Sequence, residues 1–232
     1  MLGRALPQHQ LSPTRIYSSP ALRCIQTAAA IVNMLPSTTK HRPQIAVEPG
    51  LFEWRTWYPK LPSFLSPADL VDKGYPVDIG YSPLVSLEDL AVATRQESPS
   101  DLYGRLTAVC RSILDTAGPC DKVLVVGHAV TLDACTRGLL EKKSGTWDVP
   151  FDAFGIHYPP ASLLCLTQAE TMTTKTSSSH GRLESEGRRT KKMEEEGEEE
   201  QGSDWRIVPS LIPPINYSGY TNSPNYAFVM RS

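Results

Sequence analysis

The chain has 232 residues, and 40% of them are hydrophobic, which is enough to build the core of one large domain or two small ones. Its formal net charge of -2 excludes a global electrostatic attraction to nucleic acid or to an anionic membrane surface. Phosphate chemistry would therefore have to rest on local residues, and no run approaches the ~20 apolar residues of a transmembrane helix.

The first ten residues are typical of the end of a helix, and residues 15–18 predict a short strand. A helix over residues 21–35 should follow, with Ser19 as its N-cap and Pro20 in the first helical position, where a missing N–H costs nothing. Pro36 ends this helix. Its apolar face is formed by residues that recur at helical spacing, namely Leu22, Ile25, Ala29, Val32 and Leu35.

Arg23 falls in the first turn of this predicted helix. The free backbone N–H groups and the positive end of the helix dipole should face the same region as its guanidinium group. The planar fork of a guanidinium matches the oxygens of a phosphate or a carboxylate. The segment therefore predicts an oxyanion site. The alternative is that Arg23 pairs with a carboxylate of the chain or lies in solvent.

The middle of the chain combines short apolar elements with irregular sequence. Residues 45–47 predict a strand that leads into the aromatic-rich stretch 51–59. Prolines interrupt the next forty or so residues and argue against a long regular element, so we interpret them as a loop region that arches over a site. A helix capped by Ser100 should end at Gly118 and Pro119. Its buried face would be Leu102, Leu106, Val109, Ile113 and Leu114.

His128 lies at a predicted junction between a strand and a helix. Residues 122–127 form a nearly continuous apolar, β-branched run, which predicts a strand buried on both faces in a parallel sheet. Residues 129–140 have helical character, so His128 should lie at the carboxyl edge of the sheet, where open α/β sheets bind ligands. The alternative is a histidine that belongs to the core or the surface. A strand over residues 161–166 completes the α/β alternation.

The composition divides the chain into three parts. Residues 1–168 carry the apolar elements of the predicted α/β domain. Residues 169–203 are rich in Thr, Ser, Arg, Lys and Glu and cannot bury enough apolar surface to offset the entropy of ordering, so we predict a disordered charged insertion. Residues 204–232 should return through an edge strand at 204–208 and end in a Pro- and Tyr-rich tail.

The cysteines are odd in number and widely spaced, without the pairing or C-x-x-C spacing of a disulfide or zinc framework. They are typical of reduced, small apolar residues in a cytosolic protein. The first residues are soon followed by polar ones, unlike those of a secretory signal. We therefore expect a cytoplasmic location, with the nucleus as a second compartment. The cysteines are Cys24, Cys110, Cys120, Cys135 and Cys165.

Three motifs carry a resemblance to a known family. They are SSPALRCIQTA at 18–28, VEPGLFEW at 47–54 and VLVVGHAVTLDAC at 123–135. In this order and separation they resemble the histidine phosphatase superfamily, also called phosphoglycerate mutase-like. The middle motif is similar to the phosphatase domain of the TULA family, the suppressors of T-cell receptor signalling. The resemblance implies an α/β fold with a three-layer, phosphoglycerate mutase-like sheet flanked by helices.

The resemblance also implies roles for individual residues. In this superfamily a histidine attacks phosphorus to give a phosphohistidine, which water later hydrolyses. Arg23 should clamp the phosphate, and His128 should be the second histidine, protonated and donating to an equatorial oxygen. Glu53 should protonate the leaving oxygen, with Glu48 as its rival, and neither a metal nor another cofactor is required. The alternative for Glu53 is a solvated carboxylate or one paired with Arg55.

One motif of the superfamily is missing from the chain. The nucleophilic histidine normally lies in an Arg-His-Gly triplet at the end of the first strand, and the sequence contains no such triplet. His9 has neither of these neighbours and is not a credible substitute. The sheet is therefore expected to lack its first strand, which would expose strand edges and favour pairing with another chain, such as a homodimer.

The sequence thus predicts the phosphomonoesterase domain of a protein tyrosine phosphatase, inactive in this chain because the nucleophile is absent. Its partner would be a phosphorylated protein or a small phosphomonoester, not nucleic acid or a membrane. Two alternatives stay open: a module that binds a phosphorylated ligand or partner without turnover, and a steroid-phosphate or sugar-phosphate phosphatase. The aromatic residues Trp54, Trp57 and Tyr58 favour a bulky aromatic or apolar leaving group, unless they belong to the core.

Overall fold

The computed structural model describes residues 2–36, 42–93, 96–142, 153–168 and 204–231. The predicted insertion at 169–203 lies outside the described residues. Within these ranges no helix is both long enough and apolar enough to cross a membrane. The helices and strands are α1 (Leu2–Gln8), β1 (Arg15–Ser18), α2 (Leu22–Met34), β2 (Ile45–Val47), α3 (Pro67–Asp72), α4 (Leu87–Ala93), α5 (Pro99–Asp115), β3 (Val123–Val126), α6 (Ala129–Leu139), α7 (Phe154–His157), β4 (Leu166–Gln168), β5 (Trp205–Ile207), β6 (Asn216–Tyr217), β7 (Tyr220–Thr221) and α8 (Tyr226–Val229).

A parallel sheet of three strands has β1 in the middle, between β2 and β3. Tyr17 of β1 is level with Ala46 on one side and Val125 on the other. Because parallel strands end at the same edge of a sheet, the residues that follow β1, β2 and β3 come together there. The parallel α/β architecture predicted from the sequence is confirmed.

Helices cover both faces of this sheet and give it three layers. Successive side chains of a strand point to opposite faces, so Ile16 of β1 packs against α2, whereas Tyr17 packs against α5. The α2 face buries Ile25, Ala28, Ala29 and Val32 with Ile45, Val47 and Val126 of the neighbouring strands. The α5 face buries Val109 and Ile113 with Ala46.

The start of α2 differs from the prediction. The helix begins at Leu22, after Ala21, and has no side-chain cap. Ser19 does not cap it because the Ser19 hydroxyl lies 2.8 Å from the Nε2 atom of His128, a residue far away in the sequence. The N-cap prediction for Ser19 is therefore wrong. Leu22 was also predicted to be buried, but it is 44% exposed, while the rest of the predicted apolar face lies in the core.

The start of α5 lies closer to the N-terminus than predicted. The hydroxyl of Ser98, not that of Ser100, accepts the backbone N–H of Asp101 at 3.2 Å. The Asp101 carboxylate in turn accepts the N–H of Ser98 at 3.0 Å, which completes a capping box. Ser98 has an acidic residue three positions on, and Pro99 takes the first helical position. Ser100 has no acidic residue at that spacing.

Two other elements differ from the sequence prediction. The proline-rich region, predicted to be irregular, contains the short helices α3 and α4. β4 begins at Leu166, where the predicted strand over 161–166 was expected to end. Ala161 has a φ of 61°, in the left-handed region, which does not suit the start of a strand. β4 pairs antiparallel with β5, the predicted edge strand.

β3 is less buried than its apolar sequence predicts. Val123, Leu124 and Val125 are only partly buried, and Val126 alone is fully buried. The reason is that, in the described part of the chain, β1 is the only strand that pairs with β3. The opposite edge of β3 therefore presents the unpaired backbone groups of an edge strand.

Candidate active site

The site lies at the carboxyl edge of the parallel sheet. Ser19 follows β1, and Gly127 and His128 follow β3, so the parallel register of the two strands brings these residues together. The 3-10 turn Pro49–Leu51, which follows β2, leads the chain to Glu53 at the same edge. The ends of the three strands thus fix the positions of these side chains, at the edge where open α/β sheets bind ligands.

The three predicted site residues, Arg23, Glu53 and His128, contact one another. The Nη2 atom of Arg23 donates to Oε1 of Glu53 and lies 3.0 Å from Nδ1 of His128. The other carboxylate oxygen of Glu53 lies 3.2 Å from the same Nδ1 atom. This nitrogen either accepts a hydrogen bond from Arg23 or donates one to Glu53, because a single ring nitrogen cannot do both. Glu53 and His128 are buried, whereas the side chain of Arg23 is 57% exposed.

The environment of Glu53 favours its ionised form. Burial by itself would raise the pKa of this carboxyl. The hydrogen bond and charge of His128, the hydroxyl of Tyr58 and the charge of Arg23 outweigh burial and lower the pKa of Glu53 to about 2. The carboxylate therefore carries its negative charge at neutral pH, against the two groups that were predicted to hold phosphate.

Three further side chains contact Glu53 or His128, and the sequence did not predict these contacts. Ser19 holds the Nε2 side of His128. The hydroxyl of Tyr58 donates to Oε1 of Glu53, which the spacing of the two residues does not reveal. The Sγ atom of Cys24 lies 3.8 Å from the same Nε2 atom of His128, and burial raises the pKa of its thiol to about 11. The one clue in the sequence was that Ser19 and Cys24 flank Arg23 in the same motif.

The backbone around His128 is closely packed. The N–H of His128 donates to Oγ1 of Thr131 at 3.1 Å, and this hydroxyl lies 3.4 Å from the carbonyl oxygen of Leu51. A Cβ atom at Gly127 would lie only 2.7 Å from Cγ2 of Thr131, which is too close for two non-bonded carbon atoms. The glycine before His128 is therefore required for space, since any side chain there would push Thr131 away.

Glu48, the rival proton donor, has a different environment. It is fully buried, and its carboxylate accepts the backbone N–H groups of Gly50 at 2.8 Å, Leu84 at 2.7 Å and Val85 at 3.1 Å. The hydroxyl of Tyr81 donates to it at 2.7 Å. Four donors from two chain segments hold this carboxylate, so Glu48 joins the turn after β2 to the loop before α4.

In the described residues, Glu53 forms ion pairs with groups other than Arg55. The guanidinium group of Arg55 donates to the carbonyl oxygen of its near neighbour Tyr58 at 3.4 Å. Across the described residues, the ion pairs of Glu53 are those with Arg23 and His128. The carboxylate that Arg23 contacts is therefore the one that sequence resemblance assigns as the acid.

The aromatic residues around Glu53 are divided between the core and the surface. Phe52 is 1% exposed and packs edge-on against the ring of His128, with centroids 5.8 Å apart. Trp54 and Trp57 meet edge-on at 6.0 Å, and Trp57 is 44% exposed. Of the predicted cluster, Trp54 and Tyr58 are partly buried against the core and only Trp57 is exposed, so a role in binding the leaving group stays a prediction.

A groove of about 530 Å³ opens beside Arg23. Its floor is the face of α2 that carries Thr27, Ala30 and Met34, and Leu2 and Tyr220 line its sides. Most of the lining is apolar, with Arg23 at the edge. The described residues contain no group of three or more His, Cys, Asp or Glu side chains that could hold a metal ion.

The fold of the chain is similar to that of a solved structure. The chain is similar to the crystal structure of the ecdysone phosphate phosphatase from Bombyx mori in complex with tungstate, with 31% identity and a TM-score of 0.51. The likeness covers 64% of this chain and 55% of the crystallised one. In sequence and fold, the chain is similar to the histidine phosphatase superfamily. No family model matches the sequence.

Curated relatives show the same similarity to the histidine phosphatase superfamily. The chain is 38% identical over 141 residues to the ecdysteroid-phosphate phosphatase of Drosophila melanogaster and 37% identical over 142 residues to human ubiquitin-associated and SH3 domain-containing protein A, a TULA protein. Each match covers 60% of this chain. The chain spans about a fifth of the length of these relatives, 18% of the first and 21% of the second.

Proposed function

We propose that the site is that of a phosphomonoesterase domain of the protein tyrosine phosphatase type, which uses a phosphohistidine mechanism. Arg23 and His128 bind the phosphoryl oxygens, and Glu53 protonates the leaving oxygen. The observation that carries this proposal is the convergence of the Arg23 guanidinium, the His128 imidazole and the Glu53 carboxylate within hydrogen-bond distance. The tungstate in the crystal structure of the Bombyx mori enzyme is a phosphate-like oxyanion, which also supports it.

The low pKa of Glu53 bears on its role as an acid, because a proton donor must first hold a proton. In the free site the carboxylate interacts with Arg23 and His128, and its pKa is about 2. A phosphate dianion that takes over these two partners removes the groups that favour the ionised carboxylate and adds a negative neighbour. Both changes raise the pKa of Glu53. Binding of the phosphate group would thus supply the acid with its proton.

We propose that this chain binds phosphate but does not turn it over. The 232 residues contain no Arg-His-Gly triplet. The other candidate nucleophiles are poorly suited, since Ser19 is fully buried and the raised pKa of Cys24 keeps its thiol protonated at neutral pH. The second candidate function, a module that binds a phosphorylated ligand without hydrolysis, follows from the same two observations.

The organic part of the ligand is proposed to be large and largely apolar. The groove beside Arg23 has the volume of a typical small-molecule site, and Trp57, four residues after Glu53 in the sequence, adds an exposed aromatic surface. A phosphotyrosine peptide fits these features, and a steroid phosphate, the class named for the insect relatives, fits them as well. A sugar phosphate matches the apolar lining less well.

Partner and compartment are also proposals. The open edge of β3 supports pairing with a second copy of the chain, and neither nucleic acid nor a membrane surface is a proposed partner. All five cysteines are free thiols, which supports a reducing compartment, the cytoplasm or the nucleus.

Titration with tungstate and an aryl phosphate assay test the proposal together. The purified chain should bind tungstate in calorimetry, Arg23→Ala should abolish binding, and p-nitrophenyl phosphate should not be hydrolysed. Binding by Arg23→Ala as tight as that of the parent chain would contradict the assigned site. Turnover that is lost in His128→Ala but kept in His9→Ala would contradict the missing nucleophile.

A further inference from the structure

Arg105 of α5 holds the backbone on the N-terminal side of Glu53. Its Nη1 atom donates to the carbonyl oxygens of Gly50 at 2.7 Å and Phe52 at 2.9 Å. The side chain of Arg105 is only 8% exposed. A single guanidinium nitrogen thus joins α5 to two carbonyl groups of the segment that leads from β2 into Glu53.

Glu97 completes this arrangement. Its carboxylate accepts two hydrogen bonds from Arg105, from Nε at 2.7 Å and from Nη2 at 3.1 Å, and its side chain is 1% exposed. The backbone carbonyl oxygen of Glu97 accepts the indole N–H of Trp54 at 2.8 Å. The backbone of Glu97 therefore also holds the residue on the C-terminal side of Glu53.

The energetics of the pair favour a geometric role over a stabilising one. Removing two charges from water costs several kcal/mol per ion, and apolar residues of similar volume often stabilise a fold as well as a buried ion pair does. What apolar residues lack is the fork of donors that can serve two carbonyls and a carboxylate at once. Arg105 uses its donors in this way, and the loop that it holds carries Glu53.

We infer that Arg105, together with Glu97, is a positioning pair that sets the Glu53 carboxylate against Arg23 and His128. The importance of the pair for catalysis rests on the proposed function, since Glu53 is the acid of that proposal. The positioning itself does not, because the contacts of Glu53 can be measured without any turnover.

Arg105→Lys tests the inference. A lysine keeps the positive charge beside Glu97, but it presents a single ammonium group and cannot reproduce the fork. Without this fork the segment that carries Glu53 is no longer held to α5, so the Glu53 carboxylate should contact Arg23 and His128 for a smaller fraction of the time. The pKa of Glu53 should then rise from about 2 towards its ordinary value of 4.5. Arg111→Lys, on the same helix but with a half-exposed side chain bonded to Gly138, is the matched control.

The measurement is the carbon-13 chemical shift of the Glu53 carboxyl group between about pH 6 and pH 3. In the parent chain and in Arg111→Lys the carboxyl should stay ionised down to about pH 3. In Arg105→Lys the titration should begin at least one pH unit higher. An unchanged Glu53 titration in folded Arg105→Lys would overturn the inference and leave the proposed function standing.

A milder variant covers the case in which Arg105→Lys does not fold. Trp54→Phe removes the indole N–H that binds the Glu97 carbonyl and keeps the aromatic packing. It should shift the Glu53 titration in the same direction by a smaller amount, and no shift in this variant would count against the inference. Tungstate binding by the parent chain tests the function separately, because loss of that binding leaves the titration of Glu53 measurable.

Discussion

Replacing Glu53 with glutamine should make the site bind a phosphate-like dianion more tightly. The carboxylate of Glu53 accepts a hydrogen bond from Arg23 and lies 3.2 Å from Nδ1 of His128, so it occupies the groups that an incoming anion needs. It also repels that anion by its charge. Glutamine keeps the shape and one acceptor oxygen, but it removes the charge.

The magnitude follows from the pKa of Glu53. A change from the ordinary value of 4.5 to about 2 corresponds to about 3 kcal/mol in favour of the ionised carboxylate. The side chain of Arg23 is 57% exposed, so solvent screens part of this interaction. If about 1 to 2 kcal/mol of this free energy opposes the binding of an anion, Glu53→Gln should bind the anion roughly 5- to 30-fold more tightly.

Isothermal titration with tungstate, a dianion at neutral pH, measures the change. Glu141→Gln is the matched control, because this carboxylate is exposed and lies 3.6 Å from Arg111, away from the site. Repeating the titration in buffers with different ionisation enthalpies shows whether binding takes up a proton. The parent chain should take up a larger fraction of a proton than Glu53→Gln. Equal or weaker binding by Glu53→Gln would refute competition between the carboxylate and the ligand.

The same carboxylate makes stability depend on pH in a defined direction. The pKa of Glu53 is lower in the folded chain than its ordinary value of 4.5, so its contribution is complete above about pH 4.5 and is lost as the pH falls towards 2. Urea unfolding at a series of acidic pH values should show a smaller loss of stability in Glu53→Gln than in the parent chain. Identical slopes in the two proteins would contradict the lowered pKa.

Three further predictions concern the surroundings of the site. Asp133→Asn should lower the free energy of unfolding by about 3 kcal/mol in urea titrations, because it leaves Arg231, bonded to both carboxylate oxygens at 2.9 to 3.0 Å, without its counter-charge. Gly127→Ala should weaken tungstate binding in calorimetry, since the new Cβ displaces Thr131; unchanged binding would contradict this. The thiol of Cys24, with its pKa of about 11 in place of 9, should be alkylated at pH 7 roughly a hundredfold more slowly than an ordinary cysteine, as mass spectrometry can follow.

The central sheet and its helices could be predicted because their determinants are local. Short apolar runs indicated β2 and β3, and the spacing of apolar residues indicated α2 and α5. The errors occurred where a distant residue decides the outcome. Ser19 was predicted to cap α2, but the ring of His128, which β3 brings beside it, takes its hydroxyl. The burial of β3 was overestimated because sequence cannot show how many strands flank it.

Only part of the candidate site could be predicted from the sequence. Arg23 and His128 lie at fixed places relative to β1 and β3, so the parallel register brings them together. Glu53 required the family resemblance, since a loop residue has no periodicity to mark it. Tyr58 was predicted only as one of three aromatic residues that favour a bulky leaving group, and its bond to Glu53 depends on the 3-10 turn between them. The role of Arg105 was not predictable, because the carbonyl groups of Gly50 and Phe52 that it binds lie more than fifty residues away in the sequence.

The two interpretations of Arg23 that the sequence left open, an oxyanion site and an ion pair with a carboxylate, describe the same place. The carboxylate of Glu53 contacts Arg23 and His128, the two groups proposed to hold a phosphoryl group. Positive charge at a partly buried site is costly to leave unpaired, so an internal carboxylate stabilises it while no ligand is bound. Under the proposed function, exchange of this carboxylate for a phosphate group would drive a proton onto Glu53, where an acid is needed. Glu53 would thereby stabilise the site while it is empty and act as the acid once a phosphate group is bound.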